Sequence, residues 1–254
     1  AGGFAVSTLA ALVIGAMLTR VLPPEDVGLY FLAFSIVLTG SSVVQFGMSR
    51  AVVKLTAQSI TNGNTGRARA VIFKSLLFVG ISGLTLAILM GSVLGTHIAS
   101  AIFENSRIGQ YLPILGFWLW ATAVKSMTAE SFRGLHDIKM AALGKRILPN
   151  LLIAGFLAAI WLLNSSFSLS EAMLLAAGST FLVFTYTGTK LIHKTIAFPR
   201  YKELPLMDIL RPSLPLFISQ TLALVMAQAP IWILGATQPE GEMATFGTAM
   251  RLAV

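Results

Sequence analysis

Between residues 27 and 49 the chain carries no charged side chain. That run is long enough to cross a bilayer, because a helix needs about 20 apolar residues to span the hydrocarbon core. Six more apolar segments follow the same pattern, at 4–22, 75–95, 111–131, 147–163, 172–189 and 212–236, the fourth interrupted by Lys125 and Glu130. Another opens near Met243. Their lengths favour helices over barrel strands. The expected fold is therefore an all-α integral membrane protein, a helical bundle of about seven transmembrane helices. Composition agrees: 56% of the residues are hydrophobic and only 11% charged, where a soluble domain carries about a quarter. The absence of cysteine excludes a disulfide framework and thiolate zinc sites.

The net charge of +8 has a topological origin. Arg50, Lys54, Arg67, Arg69 and Lys74 follow the second segment; Lys125, Arg133, Lys139, Lys145 and Arg146 end or follow the fourth. Lys190, Lys194, Arg200, Lys202 and Arg211 follow the sixth, and the alternate connections hold only Arg20, Arg107 and Arg251. Fifteen of the 18 basic residues thus fall on every second turn. The positive-inside rule places those turns, and the N-terminus, in the cytoplasm. Acidic residues Glu25, Asp26, Glu104, Glu171, Glu240 and Glu242 fall on the other side. Basic residues serving topology leave no nucleic-acid reading.

Smaller signals add detail. Tyr30, Tyr111, Trp161 and Trp232 are either interfacial anchors or ordinary lipid-facing bulk. Pro212 and Pro215 suit the first turn of the seventh helix, and Pro230 predicts a kink in it. Residues 196–210 read either as an interfacial stretch or as a solvated linker. Asp26-Val27-Gly28-Leu29-Tyr30, after Pro24-Glu25, is echoed by Glu242-Met243-Ala244-Thr245-Phe246, after Pro239-Glu240. Such an echo predicts that the seventh helix restarts the pattern of the first, as in transporters built from repeated halves. The chain opens directly in one apolar run and stops within another, which reads as a fragment.

An ionisable group inside a span costs roughly 2.5–3.5 kcal/mol on insertion scales and asks for a reason. Lys125 is the leading candidate, and helical spacing puts Trp118, Thr122, Lys125 and Ala129 on one face. It is either a cation lining a polar cavity, placed to meet a phosphate, or a lysine that snorkels to the headgroups. Arg20 is either a cavity arginine or a partner for Glu25 or Asp26, the pairing being favoured. Arg50, with Lys54, is either a topological anchor or a substrate contact. Ser41, Ser42, Gln45 and Ser49 form a polar stripe on the second segment, and Gln220 and Gln228 share one side of the seventh. These groups either bind sugar hydroxyls or join helices by hydrogen bonds; for the serines the second reading is preferred.

No catalytic pattern is present. His97, His136 and His193 are scattered without metal-ligand spacing, and no phosphate loop, dinucleotide fingerprint or nucleophile elbow occurs. Glu130, Arg133 and Asp137 read as an ion-pair ladder. The chain is expected to be neither an enzyme nor a holder of metal or cofactor, so transport would draw on an ion gradient or the substrate's own gradient.

Three stretches carry a family resemblance: Arg20-Val21-Leu22-Pro23-Pro24-Glu25-Asp26-Val27-Gly28-Leu29-Tyr30; Phe132-Arg133-Gly134-Leu135-His136-Asp137 with Lys139-Met140-Ala141-Ala142; and Pro212-Ser213-Leu214-Pro215-Leu216-Phe217. They resemble bacterial polysaccharide transporters of the O-antigen flippase type, in the multidrug/oligosaccharidyl-lipid/polysaccharide exporter superfamily. The resemblance implies twelve to fourteen helices in two pseudo-symmetric lobes. Residues 1–211 would form the N-terminal six-helix lobe, and 212–254 the first helix and following loop of the C-terminal lobe. It implies a flippase of the bacterial inner membrane that turns a polyprenyl-pyrophosphate-linked oligosaccharide to the outer leaflet. Membrane lipid, a glycan polymerase and a chain-length regulator are the further partners implied, and Arg20, Arg50 and Lys125 the cavity residues. The alternatives are a drug or lipid II exporter of the same superfamily and, from another class, a membrane-embedded glycan polymerase or glycosyltransferase. A drug antiporter would show an acidic residue well inside a span, and a polymerase a large outer loop; neither feature is present.

Overall fold

The computed structural model describes residues 2–92, 95, 107–162, 167–201 and 204–237. Among them run α1 (Gly2–Val21), α2 (Pro24–Gln45), α3 (Met48–Thr61), α4 (Thr65–Gly91) and α5 (Leu112–Gly134). There follow α6 (Ile138–Leu162), α7 (Leu169–Ile196) and α8 (Met207–Thr237). No strand occurs among the described residues. The echo at 239–249 and the segment opening near Met243 lie outside them.

Local chemistry sets the ends. Pro24 opens α2 at a position where a missing N–H costs nothing, with Glu25 and Asp26 beside the positive end of the helix dipole. Ser168 and Glu171 close a capping box at the start of α7. Asn64 caps α4 and Asp137 caps α6, each accepting a backbone N–H three residues on.

Five helices, α2, α4, α6, α7 and α8, are long and apolar enough to cross a membrane. The helix between α4 and α6 is less apolar because its second half holds Lys125, Glu130 and Arg133. Its surroundings make up for that. α5 packs against α2, α3, α4 and α7, and its buried face runs from Leu112 to Gly134. A helix enclosed by protein need not be soluble in lipid. Small residues let the neighbours close in: a side chain at Gly116 would come within 2.8 Å of the Ala87 carbonyl on α4.

Contacts gather the basic turns at one end of the bundle. Gly134 at the end of α5 lies against Thr56 of α3, and Gly66 at the start of α4 against Pro199. Arg69 donates to the carbonyls of Ile196 and Phe198, at 3.2 and 2.7 Å. Lys194 near the end of α7 pairs with Asp137 at 2.6 Å. At the opposite end Arg107 meets Asp26 at 2.8 Å. The charge alternation of the sequence is thus a spatial segregation.

Three boundaries differ from expectation. The second segment does not run straight through to Ser49. Phe46 and Gly47 both adopt left-handed backbone, at φ 47° and 70°, and α3 sets off as a separate helix. Phe46 tolerates that geometry because its ring stacks on Phe217 of α8, with centroids 4.6 Å apart. The helix expected to begin at Pro212 begins at Met207, so Pro212 and Pro215 lie inside it and not in its first turn. The described parts of the connection after α7 are tethered to α4, because Arg69 takes the carbonyls of Ile196 and Phe198 and Lys74 that of Leu204.

Gly47 and Gly63 share a left-handed φ, 70° and 71°, but a Cβ at Gly47 would stand 2.3 Å from the Ser213 carbonyl, whereas at Gly63 it meets nothing within 4 Å. Gly63→Ala is expected to cost only the backbone strain, about 1–2 kcal/mol, and Gly47→Ala at least another ~1 kcal/mol for pushing α8 away. Denaturation of the purified protein in detergent measures both; equal losses would mean that α8 does not rest on Gly47. At the α5–α6 turn the hydrogen bond from Lys194, helped by the Met140 N–H and opposed by partial burial, holds the Asp137 carboxyl below its ordinary value. That stabilisation is present above the ordinary carboxylate range, near pH 4, and fades as pH falls through the depressed value. Asp137→Ala should cost about 1 kcal/mol, mostly through the lost cap, and should flatten the acid limb of stability below about pH 4.

Candidate functional site

Lys125 lies within α5, nine residues before its last, so roughly 14 Å along the axis from the basic end. It is half-buried, and no hydrogen bond or ion pair engages its ammonium among the described residues. The carboxylates nearby are committed. Buried Glu130 accepts from Arg133 at 2.8 Å and from Lys145, and Asp137 is held by Lys194. The charge acting on Lys125 is a second cation, Lys145. A five-residue π-helical turn of α6, Leu143–Ile147, carries Lys145; such turns recur at functional positions. The expected ladder therefore holds between Glu130 and Arg133, while Asp137 reaches across to α7 instead.

The other residues on the Lys125 face divide. Trp118 is buried and packs on Tyr30 and Phe34 of α2, with ring centroids 5.7 and 5.9 Å away. It orients α5 against α2 and is not open to a cavity. Tyr30 is correspondingly a core residue and not an interfacial anchor. Thr122 is half-buried, one turn from Lys125.

Arg20 is exposed in the last turn of α1. The pairing favoured for it is not formed: Asp26 takes Arg107 instead, and Arg20 has no ion pair among the described residues. Arg50 is exposed in the first turn of α3. Arg20 and Arg50 stand beyond opposite ends of the 22-residue α2, about 33 Å apart along its axis. The three cations therefore occupy three depths and form no single pocket.

The polar stripe meets its partners across α8. Ser35, Ser42 and Ser49 recur every seven residues on α2 and into α3. Ser35 Oγ donates to Gln228 Oε1 at 2.8 Å and accepts from Trp232 Nε1 at 2.9 Å. Ser49 Oγ donates to Gln220 Oε1, and Gln220 Nε2 to Ser42 Oγ, both at a weaker 3.4 Å. Ser42 and Ser49 join helices, as preferred, while Ser41 donates to the Leu38 carbonyl of its own helix at 2.9 Å; the bonds across the seam engage both glutamines. Gln45 is buried and donates to the Ser41 carbonyl of its own helix at 2.9 Å. Sequence reasoning missed the Ser35 node, the Phe46–Gly47 break and the π-helical turn. The first was legible as a heptad of serines facing the α8 glutamines. The other two have no local signature beyond the glycine.

Among the described residues no cluster of metal-ligating side chains occurs. What the arrangement offers chemically is a cation, Lys125, with no ion pair among the described residues, beside carboxylates that are already engaged.

No protein of curated function matches the chain. Solved structures do. An inward-facing multidrug resistance MATE family transporter of the MOP superfamily aligns with a TM-score of 0.73 at 19% identity, covering 97% of this chain and 57% of that one. A MOP superfamily transporter from Pyrococcus furiosus, described by a reversed polarity of its binding pocket, aligns at 0.67 and 20% identity over 98% and 60%. An outward-facing MATE transporter gives 0.64 and 20% over 97% and 61%. The chain thus spans about three fifths of the length of these transporters and shares their fold as a multi-pass helical membrane protein. Over residues 3–254 it matches the family described as Polysaccharide biosynthesis protein, and the chain belongs to that family.

Proposed function

We propose that the chain is part of a flippase that carries a polyprenyl-pyrophosphate-linked oligosaccharide from the cytoplasmic to the outer leaflet of a bacterial inner membrane. The observation that carries this reading is the unpaired Lys125 in a protein-enclosed span, in a family named for polysaccharide biosynthesis. Hydrocarbon solvates an ammonium poorly, so Lys125 calls for a hydrated cavity and an anion to fill it. A pyrophosphate supplies the anion, and the isoprenoid tail stays in lipid. Arg50, Lys125 and Arg20 stand at successive depths along that path.

The basic end is assigned to the cytoplasm, with the N-terminus, by the positive-inside rule. Residues 1–211 make one lobe and 212–254 open the second. The Ser35–Gln228 and Ser42–Gln220 bonds then lie where the lobes meet, and rocking there would give alternating access. A glycan polymerase and a chain-length regulator are the partners such a product needs.

The rival reading is drug export, suggested by the two multidrug resistance transporters among the structural neighbours. A cationic drug needs a free intramembrane carboxylate, and Glu130 is already shared by Arg133 and Lys145. The balance of charge favours an anionic cargo.

Deleting the gene, in a strain without a second transporter, is expected to trap lipid-linked oligosaccharide on the cytoplasmic face; normal delivery would reject the assignment. In the intact protein, Lys125→Ala should lower transport about tenfold or more, the scale of losing one charge-assisted contact. Lys125→Arg should restore part of it. Unchanged transport by Lys125→Ala at normal expression would remove Lys125 from the site.

A further inference from the structure

A groove of about 400 Å³ runs between α4 and α7 on the outside of the bundle, floored by α5. From α4 it takes Phe73, Leu77 and Leu84, from α7 Gly188 and Ile192, and from α5 Trp120. On α4 these residues share one face, and Phe73 to Leu84 spans about 16 Å of helix. One leaflet of a hydrocarbon core about 30 Å thick has much the same depth.

The groove is separate from the Lys125 face. At 100° per residue, Trp120, Val124 and Thr128 centre roughly 130° around α5 from Trp118, Thr122, Lys125 and Ala129. Packing agrees: Trp118 lies on Tyr30 of α2, whereas Trp120 lies on Phe181 and Phe184 of α7 and donates to the Gly80 carbonyl of α4 at 3.1 Å. A ligand in the groove is therefore not cargo at Lys125.

A cation marks one end. Arg69 stands one turn before Phe73 on the same face of α4, with its guanidinium carbon 5.7 Å from the Phe73 ring centroid. Both its bonds, to Ile196 and Phe198, leave from Nη1, so Nη2 and Nε have no protein acceptor among the described residues. An apolar trough one leaflet deep, with an arginine at its basic-end mouth, complements a lipid with an anionic head.

We propose that this groove is a binding site for one acyl chain of an anionic phospholipid, drawn from the leaflet at the basic end, with Arg69 at its phosphate. The site is a resident lipid's place on the outer face of the bundle, independent of the transport path.

Gly80 gives a direct test, because a Cβ there meets nothing within 4 Å and its carbonyl bond to Trp120 survives substitution. The intact protein is exchanged into micelles doped with either dioleoyl phosphatidylglycerol or dioleoyl phosphatidylcholine, and retained lipid is counted by native mass spectrometry. The unsubstituted protein should keep the anionic lipid about fivefold better, the scale of one basic contact at a membrane surface. Arg69→Gln should abolish that preference, and Gly80→Leu should remove the retained lipid itself. Bromine-labelled phosphatidylglycerol should quench a fluorescence component that Trp120→Phe deletes. Because Arg69 also holds the α7–α8 connection, Gly80→Leu with an unshifted melting curve is the deciding variant. Equal retention of both lipids, retention unchanged by Gly80→Leu, or quenching indifferent to Trp120→Phe would each overturn the proposal.

Discussion

Hydrocarbon gives a polar group no solvent to fall back on, and the packing of this bundle follows from that constraint. α5 is where it bites hardest. The helix carries Lys125, Glu130 and Arg133, and it is tolerated because α2, α3, α4 and α7 enclose it. Thr128 and Ser131 in its second half return their hydroxyls to carbonyls one turn back, those of Val124 and Met127, at 2.8 and 2.9 Å. Glu130 finds two cations, one of them brought in by the wide turn of α6. Position in the bundle, and not its own hydropathy, makes α5 a transmembrane element.

The same constraint explains why the spans were legible in the sequence while their joints were not. Spans and their alternation are written in residue type: lipid excludes charge wherever the chain faces it, so Arg50 to Lys74 and Lys190 to Arg211 mark turns without help from any neighbour. Joints depend on distant partners. Nothing local says that the run through Ser49 breaks at Phe46, because the left-handed pair is held by Phe217, far along the chain. Nor does Asp137 announce Lys194 as its partner, when Arg133 is nearer in sequence. Tyr30 could have sat at an interface until Trp118 packed on it.

For the site the division is similar. The sequence singled out Lys125 because a lysine in an apolar run is rare, and its isolation from carboxylates is visible only once Glu130 and Asp137 are seen engaged elsewhere. Trp118 shared its helical face with Lys125 yet serves packing, since a periodicity of 3.6 fixes direction and says nothing about what stands there. The three stretches that resembled the transporter family prove to be joints: the α1–α2 turn, the α5–α6 turn with its Asp137 cap, and the part of α8 that receives Phe46 and Gly47.

Charge within the bundle also bears on how a carrier of this kind could cycle. Toward the basic end of α5, buried Glu130 pairs with Arg133 and Lys145, and Lys125 on the same helix has no ion pair among the described residues. An excess of positive charge in a poorly solvating interior raises the free energy of the empty protein. Water in a cavity lowers it, and an anion lowers it further. On the proposed function, a conformation that shut Lys125 away from both would be the costliest, and one that shut it in with a phosphate would be relieved. The seam between α2 and α8 suits such a choice, because Ser42 and Ser49 hold Gln220 by long, weak bonds that can be exchanged for water, whereas Ser35, Gln228 and Trp232 form a tighter node toward the other end. On the proposed function, the seam would part more readily at the basic end, where its bonds are longest, than beyond it.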